Sequence, residues 1–246
     1  MDRIIYTAMT GASAAANRQA TLSNNLANAS TNGFRAELDT YRAVPLRGDG
    51  ATTRVFALEA TATYSNLAGP AMRTDRNLDA MNIGNTWFAV SGLDGNEGYT
   101  RNGHFEVGND GSLQTGNGLQ VLSSGGGPLI IPQGAEVTIQ ADGNVSARVG
   151  NQPAEVVGKL KIVSPQGEDT LRRNPDGLFR TPTSDPLPDD PNARVQVGVL
   201  EGSNVSTVET MVGMIQTARQ FEVQMRMLQT AESNDRSAGQ LLSLQG

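Results

Sequence analysis

The sequence predicts an α+β protein in which a helix at each end of the chain flanks an inserted, β-rich body. Three observations support this fold class: apolar residues recur every three or four positions near each terminus, and the region between them has period-two patterning with many turn dipeptides. We expect the two terminal helices to pair as a coiled-coil-like domain. The predicted segments are an N-terminal helix at 1–34, an extended connector at 35–74, a β-rich body at 75–199 and a C-terminal helix at 200–246.

The N-terminal helix is predicted from apolar residues with the spacing of a coiled-coil seam. They are Met1, Ile5, Ala8, Ala12, Ala15, Leu22 and Leu26, and only Gln19 interrupts the series. Three of them are alanines, so a partner helix can approach closely there. The Asn32–Gly33 pair predicts the end of the helix, because glycine readily adopts the left-handed conformation. We expect the last helical residue near Ala29.

The C-terminal helix shows the same alternation of three and four. Its apolar residues are Met211, Met214, Ala218, Phe221, Met225 and Leu228, and Val212 and Ile215 widen them into a broad stripe. Ser206 and Glu209 have the spacing of a capping box, in which the two side chains satisfy backbone N–H groups of the first turn. The helix is therefore expected to start directly after Ser206.

The middle of the chain is predicted to form short strands joined by tight turns. The strand-like runs are 87–90, 137–139, 145–149, 160–163 and 195–200. Asn-Gly or Asp-Gly pairs begin at Asp49, Asp94, Asn102, Asp110, Asn117, Asp142 and Asp176. Each pair is expected to supply the positive backbone angles that a tight hairpin needs. We therefore expect a β-meander or a barrel-like body.

Two segments lack a regular pattern. Residues 35–74, with Pro45 and the tip Gly48–Asp49–Gly50, are interpreted as an extended connector. Residues 181–191 contain four prolines and three aspartates. Proline lacks the backbone donor that a helix interior or a central strand requires, so this second segment is predicted to be an exposed loop.

The composition disfavours several classes of function. The formal net charge is −6 and no basic run is present, so neither nucleic acid nor an anionic membrane is an expected partner. Without cysteine the chain has no disulfide framework and no thiolate metal site. No apolar run reaches the roughly 18 residues of a spanning helix, so membrane insertion is not expected. The N-terminal stretch is interpreted as a retained helix rather than a signal peptide, because Tyr6, Thr7 and Thr10 interrupt it.

The catalytic inventory of the chain is small. The single histidine, His104, lies beside a predicted turn and is interpreted as a surface residue, because no nucleophile motif accompanies it. The adjacent carboxylates Asp189 and Asp190 lie in the proline-rich loop and are interpreted as solvated. We therefore expect no catalytic residue, no metal, no cofactor and no small-molecule substrate. Two other classes stay open: a cell-wall-acting enzyme and a secreted β-rich binding module.

Three motifs resemble those of bacterial flagellar rod and hook proteins. The first is SNNLANASTNGFR at 23–35, the second is YTRNGHF at 99–105, and the third is LEGSNV at 200–205 with ARQFE at 218–222. The resemblance spans nearly the whole chain. The opening MDRIIY and the short body are most similar to the proximal rod members of the family, and the distal rod members come next.

The resemblance implies a structural role in the periplasmic rod of the flagellar basal body. A protein of this family would be exported unfolded by the flagellar export apparatus without a cleaved signal, and its partners would be copies of itself and other rod proteins. Its terminal helices would line the export channel, and the rod would transmit torque. The expected subunit-interface residues are Ile5, Ala8, Ala12, Leu22, Asn24, Asn25, Leu26, Asn28, Gly33, Phe34, Met211, Met214, Ile215, Ala218, Phe221, Met225 and Leu228.

Overall fold

The computed structural model describes residues 2–45, 55–166 and 171–243, and it confirms terminal helices around a β-rich middle. Helix α1 spans Asp2–Ala27 and helix α2 spans Thr207–Ser243. The strands are β1 (Glu37–Pro45), β2 (Val55–Tyr64), β3 (Ala71–Arg73), β4 (Ala80–Asn82), β5 (Trp87–Ser91), β6 (Glu97–Thr100), β7 (Phe105–Val107), β8 (Leu113–Thr115), β9 (Ala135–Ile139), β10 (Asn144–Val149), β11 (Glu155–Lys159), β12 (Ile162–Val163), β13 (Arg172–Arg173), β14 (Phe179–Arg180), β15 (Val195–Val197) and β16 (Val199–Glu201). The chain forms two compact units. Unit 1 comprises residues 1–29, 37–63 and 205–246, and unit 2 comprises 30–36 and 64–204.

Both helices have the ends that the sequence predicts, to within two residues. Helix α1 ends at Ala27, and Gly33 follows in the left-handed conformation with φ of 70°. Helix α2 begins directly after Ser206, whose Oγ accepts a hydrogen bond from the backbone N–H of Glu209 at 3.4 Å. Among the described residues, neither helix has an apolar stretch long enough to cross a membrane.

Unit 1 contains a strand pair in addition to the two helices. Strands β1 and β2 pair with each other inside the segment for which the sequence predicts only an extended connector. The tip Gly48–Asp49–Gly50 lies outside the described residues, as does Met1. Strand β1 packs along α1. The Asn25 side chain donates to the Glu37 carbonyl at 2.9 Å, and Tyr41 Oη donates to the Ala14 carbonyl at 3.2 Å.

Unit 2 is built from small antiparallel sheets. Within the described residues, the predicted meander is present only as the three-stranded sheet β9–β10–β11. A five-stranded sheet has the order β12-β5-β6-β14-β13 and therefore joins strands that are distant in sequence. Strands β4 and β3 pair with β15 and β16, so the last strands of the unit return to its first strands. Sequence patterning does not specify such distant pairings, because period two predicts strands but not their partners.

Two hydrophobic clusters form the core of unit 2. The larger one lies around Phe88, Phe105, Leu113 and Val121, and all four side chains are fully buried. The smaller one is aromatic. Its members include Trp87, Tyr99 and Phe179, and Tyr64 packs against it.

The turn dipeptides behave as predicted, with one exception. Of those inside the described residues, the glycines at 95, 111, 118, 143 and 177 have positive φ. The prediction is wrong for Asn102–Gly103, because Gly103 does not have a positive φ. Glycine is needed there for a steric reason: a Cβ at Gly103 would collide with the carbonyl oxygen of Ala80 on the neighbouring strand.

The proline-rich segment 181–191 is not simply an exposed loop. Leu187 is buried, and its backbone N–H donates to Tyr99 Oη at 2.7 Å. Asp189 Oδ1 accepts a hydrogen bond from the backbone N–H of Ile162 at 3.0 Å. The segment is therefore anchored to the body by the buried Leu187 side chain and by hydrogen bonds through the Leu187 N–H and the Asp189 carboxylate.

Candidate assembly site

Helices α1 and α2 contact each other in antiparallel orientation, and glycine allows the close approach. A Cβ added at Gly11 would lie 3.0 Å from Cδ of Gln224, and one added at Gly213 would lie 3.3 Å from Cδ1 of Leu22. Gly11, earlier in α1, thus contacts Gln224, later in α2, whereas Leu22, later in α1, contacts Gly213, earlier in α2. The closeness of the helices in the structure agrees with the small residues of the predicted N-terminal seam.

Helix α2 turns small and polar residues towards α1. Thr210, Thr217 and Ala231 are buried, Gln224 is partly buried against Gly11, and these four α2 residues are spaced seven apart. Residues seven apart lie on one side of a helix. The apolar residues of α2 therefore occupy its other sides.

The apolar residues of α2 remain exposed in the single chain. Val208, Met211, Val212 and Ile215, which are spaced three and four apart on the side away from α1, keep 48–73 % of their surface accessible. Phe221 and Met225 are each 39 % exposed, but Phe221 also lines the gap between the two helices. We call Val208, Met211, Val212 and Ile215 the outer face of α2. Such a contiguous exposed apolar surface is typical of a protein interaction site.

The structure distributes the expected interface residues over three environments. Met211, Ile215, Ala218, Phe221, Met225 and Asn24 are exposed. Ile5, Leu22, Leu26, Asn28, Met214 and Leu228 are partly buried, and Ala8, Ala12, Asn25, Gly33 and Phe34 are buried. Gly33 and Phe34 lie in unit 2 and contact that unit, whereas the other residues lie in unit 1. A subunit contact through any of them stays a prediction.

A cavity of about 400 Å³ lies between the two helices. Ala15, Ala16 and Gln19 line it from α1, and Thr217, Ala218, Phe221 and Glu222 line it from α2. Gln19 is the residue that interrupts the apolar seam of α1. Its Oε1 is buried and accepts no hydrogen bond within the described part of the chain. The polar interruption in the sequence thus corresponds to a gap in helix packing.

One residue from each of the three sequence motifs meets in a buried ion cluster of unit 2. We call Arg35, Arg101 and Glu201 the junction triad. Arg35 Nη2 lies 2.6 Å from Glu201 Oε1, and Arg101 Nη2 lies 2.8 Å from Glu201 Oε2. All three side chains are at most 4 % exposed. Arg101 also donates to the backbone carbonyls of Gly84 and Thr86, so its guanidinium is held on several sides.

The backbone around the triad is equally tightly joined. The Gly33 N–H donates to the Glu201 carbonyl at 2.7 Å, and the Ala36 N–H donates to Asn204 Oδ1 at 2.7 Å. The Asn204 N–H in turn donates to the Phe34 carbonyl at 3.2 Å. A Cβ at Gly33 would collide with the backbone of Arg101, so only glycine permits this crossing.

The triad carries two positive charges and one negative charge. Burial lowers the pKa of the Arg35 guanidinium; Glu201 opposes this shift, whereas Arg101 adds to it. Burial also raises the pKa of the neighbouring Tyr64 hydroxyl, against the effect of the two arginines. Tyr64 therefore supplies no second negative charge, and Glu201 is the carboxylate that holds both guanidinium groups.

His104 is more constrained than a free surface histidine. Its side chain is 33 % exposed, and its Nδ1 lies 2.9 Å from Oδ1 of the buried Asp79. Nε2 lies 3.2 Å from Glu106 Oε1, and Arg76 Nη1 lies 2.8 Å from Nδ1. The cluster joins neighbouring segments of unit 2. Within the described ranges, no group of three or more His, Asp or Glu side chains is arranged to hold a metal ion.

Three family models match the chain. Residues 5–35 match the flagella basal body rod protein model, residues 82–147 match the D1 domain of flagellar hook protein FlgE/F/G, and residues 196–241 match the C-terminal region of flagellar basal body rod FlgEFG protein. The chain is also 44 % identical over 253 residues to the flagellar basal-body rod protein FlgF of Salmonella typhimurium, covering 99 % of this chain and 100 % of that one. This chain belongs to the flagellar basal-body rod protein family.

Other rod proteins are similar over almost their full length. FlgF of Escherichia coli K12 is 44 % identical, with 99 % of this chain and 100 % of that one covered. FlgG of Agrobacterium fabrum is 31 % identical, with 94 % and 95 % covered. Each of the three matched regions contributes one member of the junction triad: Arg35 from the first, Arg101 from the second and Glu201 from the third.

The triad residues are functional candidates that sequence reasoning missed. All three lie inside the motifs. Charged residues do not contribute to the apolar periodicity from which the elements were predicted, and residues so far apart in sequence give no sign that they contact each other. A usable signal is present nonetheless. Arg35 follows a glycine closely and Glu201 directly precedes one, and a charge beside glycines in a predicted body suggests a close backbone crossing.

Proposed function

We propose that this protein is a structural subunit of the proximal rod of the flagellar basal body and that it polymerises through its terminal helices. The observation that carries the proposal is the outer face of α2, which stays exposed although α1 already covers another side of the helix. Membership of the rod family supports assembly with copies of the chain and with other rod proteins. The greater identity to FlgF than to FlgG favours the proximal rod over the distal rod.

The assembly domain consists of both helices, and the β-rich body is a separate insertion. We propose segments at 1–34 and 200–246 for assembly, 35–74 as the connector and 75–199 as the body. The spacing of seven between Thr210, Thr217, Gln224 and Ala231 supports coiled-coil packing of α2 against α1. The expected interface residues that are exposed or partly buried then form the subunit contacts. Gly33 and Phe34 support these contacts from inside unit 2.

Such a contact must repeat without closing. A contact between two unlike surfaces of one subunit builds an open helical filament, whereas a two-fold contact would stop at a dimer. Each half-exposed apolar side chain that becomes buried contributes about 1 kcal/mol, given roughly 1.5–3 kcal/mol for a fully exposed one. Several such residues per subunit, repeated along a filament, give a rod that transmits torque while its helices line the export channel.

Location and export follow from the same role. In this proposal the rod lies in the periplasm, and the subunit reaches it through the flagellar export apparatus without a cleaved signal. The chain acts without a cofactor or substrate, and catalysis is not part of its function. The contacts of His104 and Asp189 support this, because each holds neighbouring segments of unit 2 together.

The test is Ile215→Asp, with Gln216→Asp as a matched control. Both positions are exposed on α2, but Gln216 lies outside the outer face. In cells that lack the native gene, Ile215→Asp is expected to abolish incorporation into isolated basal bodies and to abolish motility, whereas the control incorporates normally. Circular dichroism of both purified proteins checks that the fold is unchanged. Normal incorporation of Ile215→Asp would refute assembly through this face.

A further inference from the structure

We propose that the junction triad is an electrostatic lock. It holds together the segments that connect unit 2 to the rest of the chain, and these segments separate when the Glu201 carboxylate no longer pairs with the two arginines. Residues 33–36, 65–69 and 201–204 meet at the triad, and each lies next to a point where the chain passes between the units. The lock belongs to unit 2 alone and does not depend on the assembly of the rod.

The Glu201 carboxylate is the shared acceptor for segments 33–36 and 65–69 and for Arg101. Its Oε1 accepts the Gly69 N–H at 3.1 Å and pairs with Arg35, while its Oε2 accepts Arg101 Nε at 2.8 Å. Arg35 also donates to the carbonyls of Asn66 and Leu67. Removal of this one carboxylate therefore leaves two buried like charges and a backbone N–H without their acceptor.

The lock lies outside the larger hydrophobic cluster of unit 2, although Arg101 Cζ lies 5.5 Å from the ring centroid of Trp87 in the smaller cluster. Glu201 ends strand β16, which pairs only with the three residues of β3 in a two-stranded sheet. Phe34 and Leu200 are buried near the triad but belong to neither hydrophobic cluster. Opening of the junction therefore does not require the larger cluster to unfold, and a local opening of this kind has its own free energy.

The order of the three residues in the chain determines when the lock can close. Arg35 and Arg101 precede Glu201 in the sequence, so a chain that emerges from its N-terminus presents both cations before their shared anion. Two guanidinium groups in one dry site repel each other, and Arg101 already lowers the pKa of Arg35 in the closed state. The junction therefore closes only after residue 201 has arrived and β16 has paired with β3.

Hydrogen exchange on the full-length chain tests the lock. The reporters are the junction amides of Gly33, Ala36 and Asn204, and the references are the core amides of Leu113 and Val121, which donate to carbonyls at 2.8 Å. Glu201→Gln preserves shape but removes the charge. We expect exchange at the reporters to accelerate at least tenfold while the references stay within twofold.

Two further variants keep the test decisive. Arg35→Met leaves the Arg101–Glu201 pair intact, so it tests the lock even if Glu201→Gln does not fold, and we expect faster exchange at Gly33 and Ala36 alone. Glu97→Gln breaks the comparably buried Lys161–Glu97 pair and is expected to leave the junction amides unchanged. Equal acceleration of reporters and references in Arg35→Met, or no acceleration at all, would overturn the lock.

Discussion

The backbone N–H of Gly33 donates a 2.7 Å hydrogen bond to the carbonyl of Glu201, joining residues from opposite ends of the chain. The bond forms at a position where Gly33 has φ of 70° and where its Cα faces the backbone of Arg101 without space for a side chain. Residue 33 is therefore constrained both by its conformation and by its neighbour.

Gly33→Ala is expected to destabilise the protein more than a left-handed alanine alone would. The conformation costs about 1–2 kcal/mol, and the collision with Arg101 adds to it because backbone cannot move aside easily. Gly118→Ala is the control, since Gly118 has φ of 79° but no atom within 4 Å of an added Cβ. Urea unfolding measures both, and equal losses of stability would contradict a steric role for Gly33.

Leu113→Ala is expected to lower the free energy of unfolding of unit 2 by about 2–5 kcal/mol, because it leaves a cavity in the larger core cluster. Leu93 provides the comparison, since it is 93 % exposed. Leu93→Ala should change stability by no more than about 0.5 kcal/mol. Chemical denaturation is followed by the fluorescence of Trp87, which is buried in the same unit. A large loss in Leu93→Ala would contradict this assignment of the core.

Gln19→Leu is expected to stabilise the helix pair by about 1 kcal/mol, since it removes a buried oxygen that lacks a partner and fills part of the cavity beside Thr217. Gln216→Leu, on an exposed position of α2, should have little effect. Thermal unfolding followed by far-UV circular dichroism measures both variants. If Gln19→Leu lowers the melting temperature, solvent already satisfies this oxygen.

Ser206→Ala is expected to cost about 0.5–2 kcal/mol, because the Oγ that accepts the Glu209 N–H is lost from the start of α2. Ser233 lies in the interior of α2 and is exposed. There the same substitution should be neutral or slightly stabilising, because alanine has the higher helix propensity. Helix content and denaturant midpoints check the pair. A larger loss at Ser233 would show that Ser206 is not the cap.

The sequence predicted what local periodicity determines. The start of α2 was found because Ser206 acts through Glu209 in the same turn. Helix α1 ends near the predicted residue, but Gly33 lies six residues beyond its end and contacts Glu201 and Arg101 rather than the helix. The orientation of α2 was less accessible, since its apolar stripe indicates a contact surface but not which partner uses it. Thr210 and Thr217, which the structure buries, have no apolar signal at all.

The pairing of strands that are distant in the chain could not be predicted from the sequence. The partners of β3 and β4 lie near the end of unit 2, and nothing in the residues 71–82 specifies them. The junction triad has the same character, because an arginine in a motif looks the same whether it faces water or a buried glutamate. Motif resemblance identified the correct segments, and only the fold shows that Arg35, Arg101 and Glu201 occupy one site.

The convergence of residues 33–36 and 201–204 has a mechanical consequence. A pull along the polypeptide from α1 reaches unit 2 at the first of these stretches, and a pull from α2 reaches it at the second. The two are bonded to each other through Gly33, Ala36, Glu201 and Asn204. Tensile stress can thus pass from one terminus to the other without stretching the hydrophobic interior.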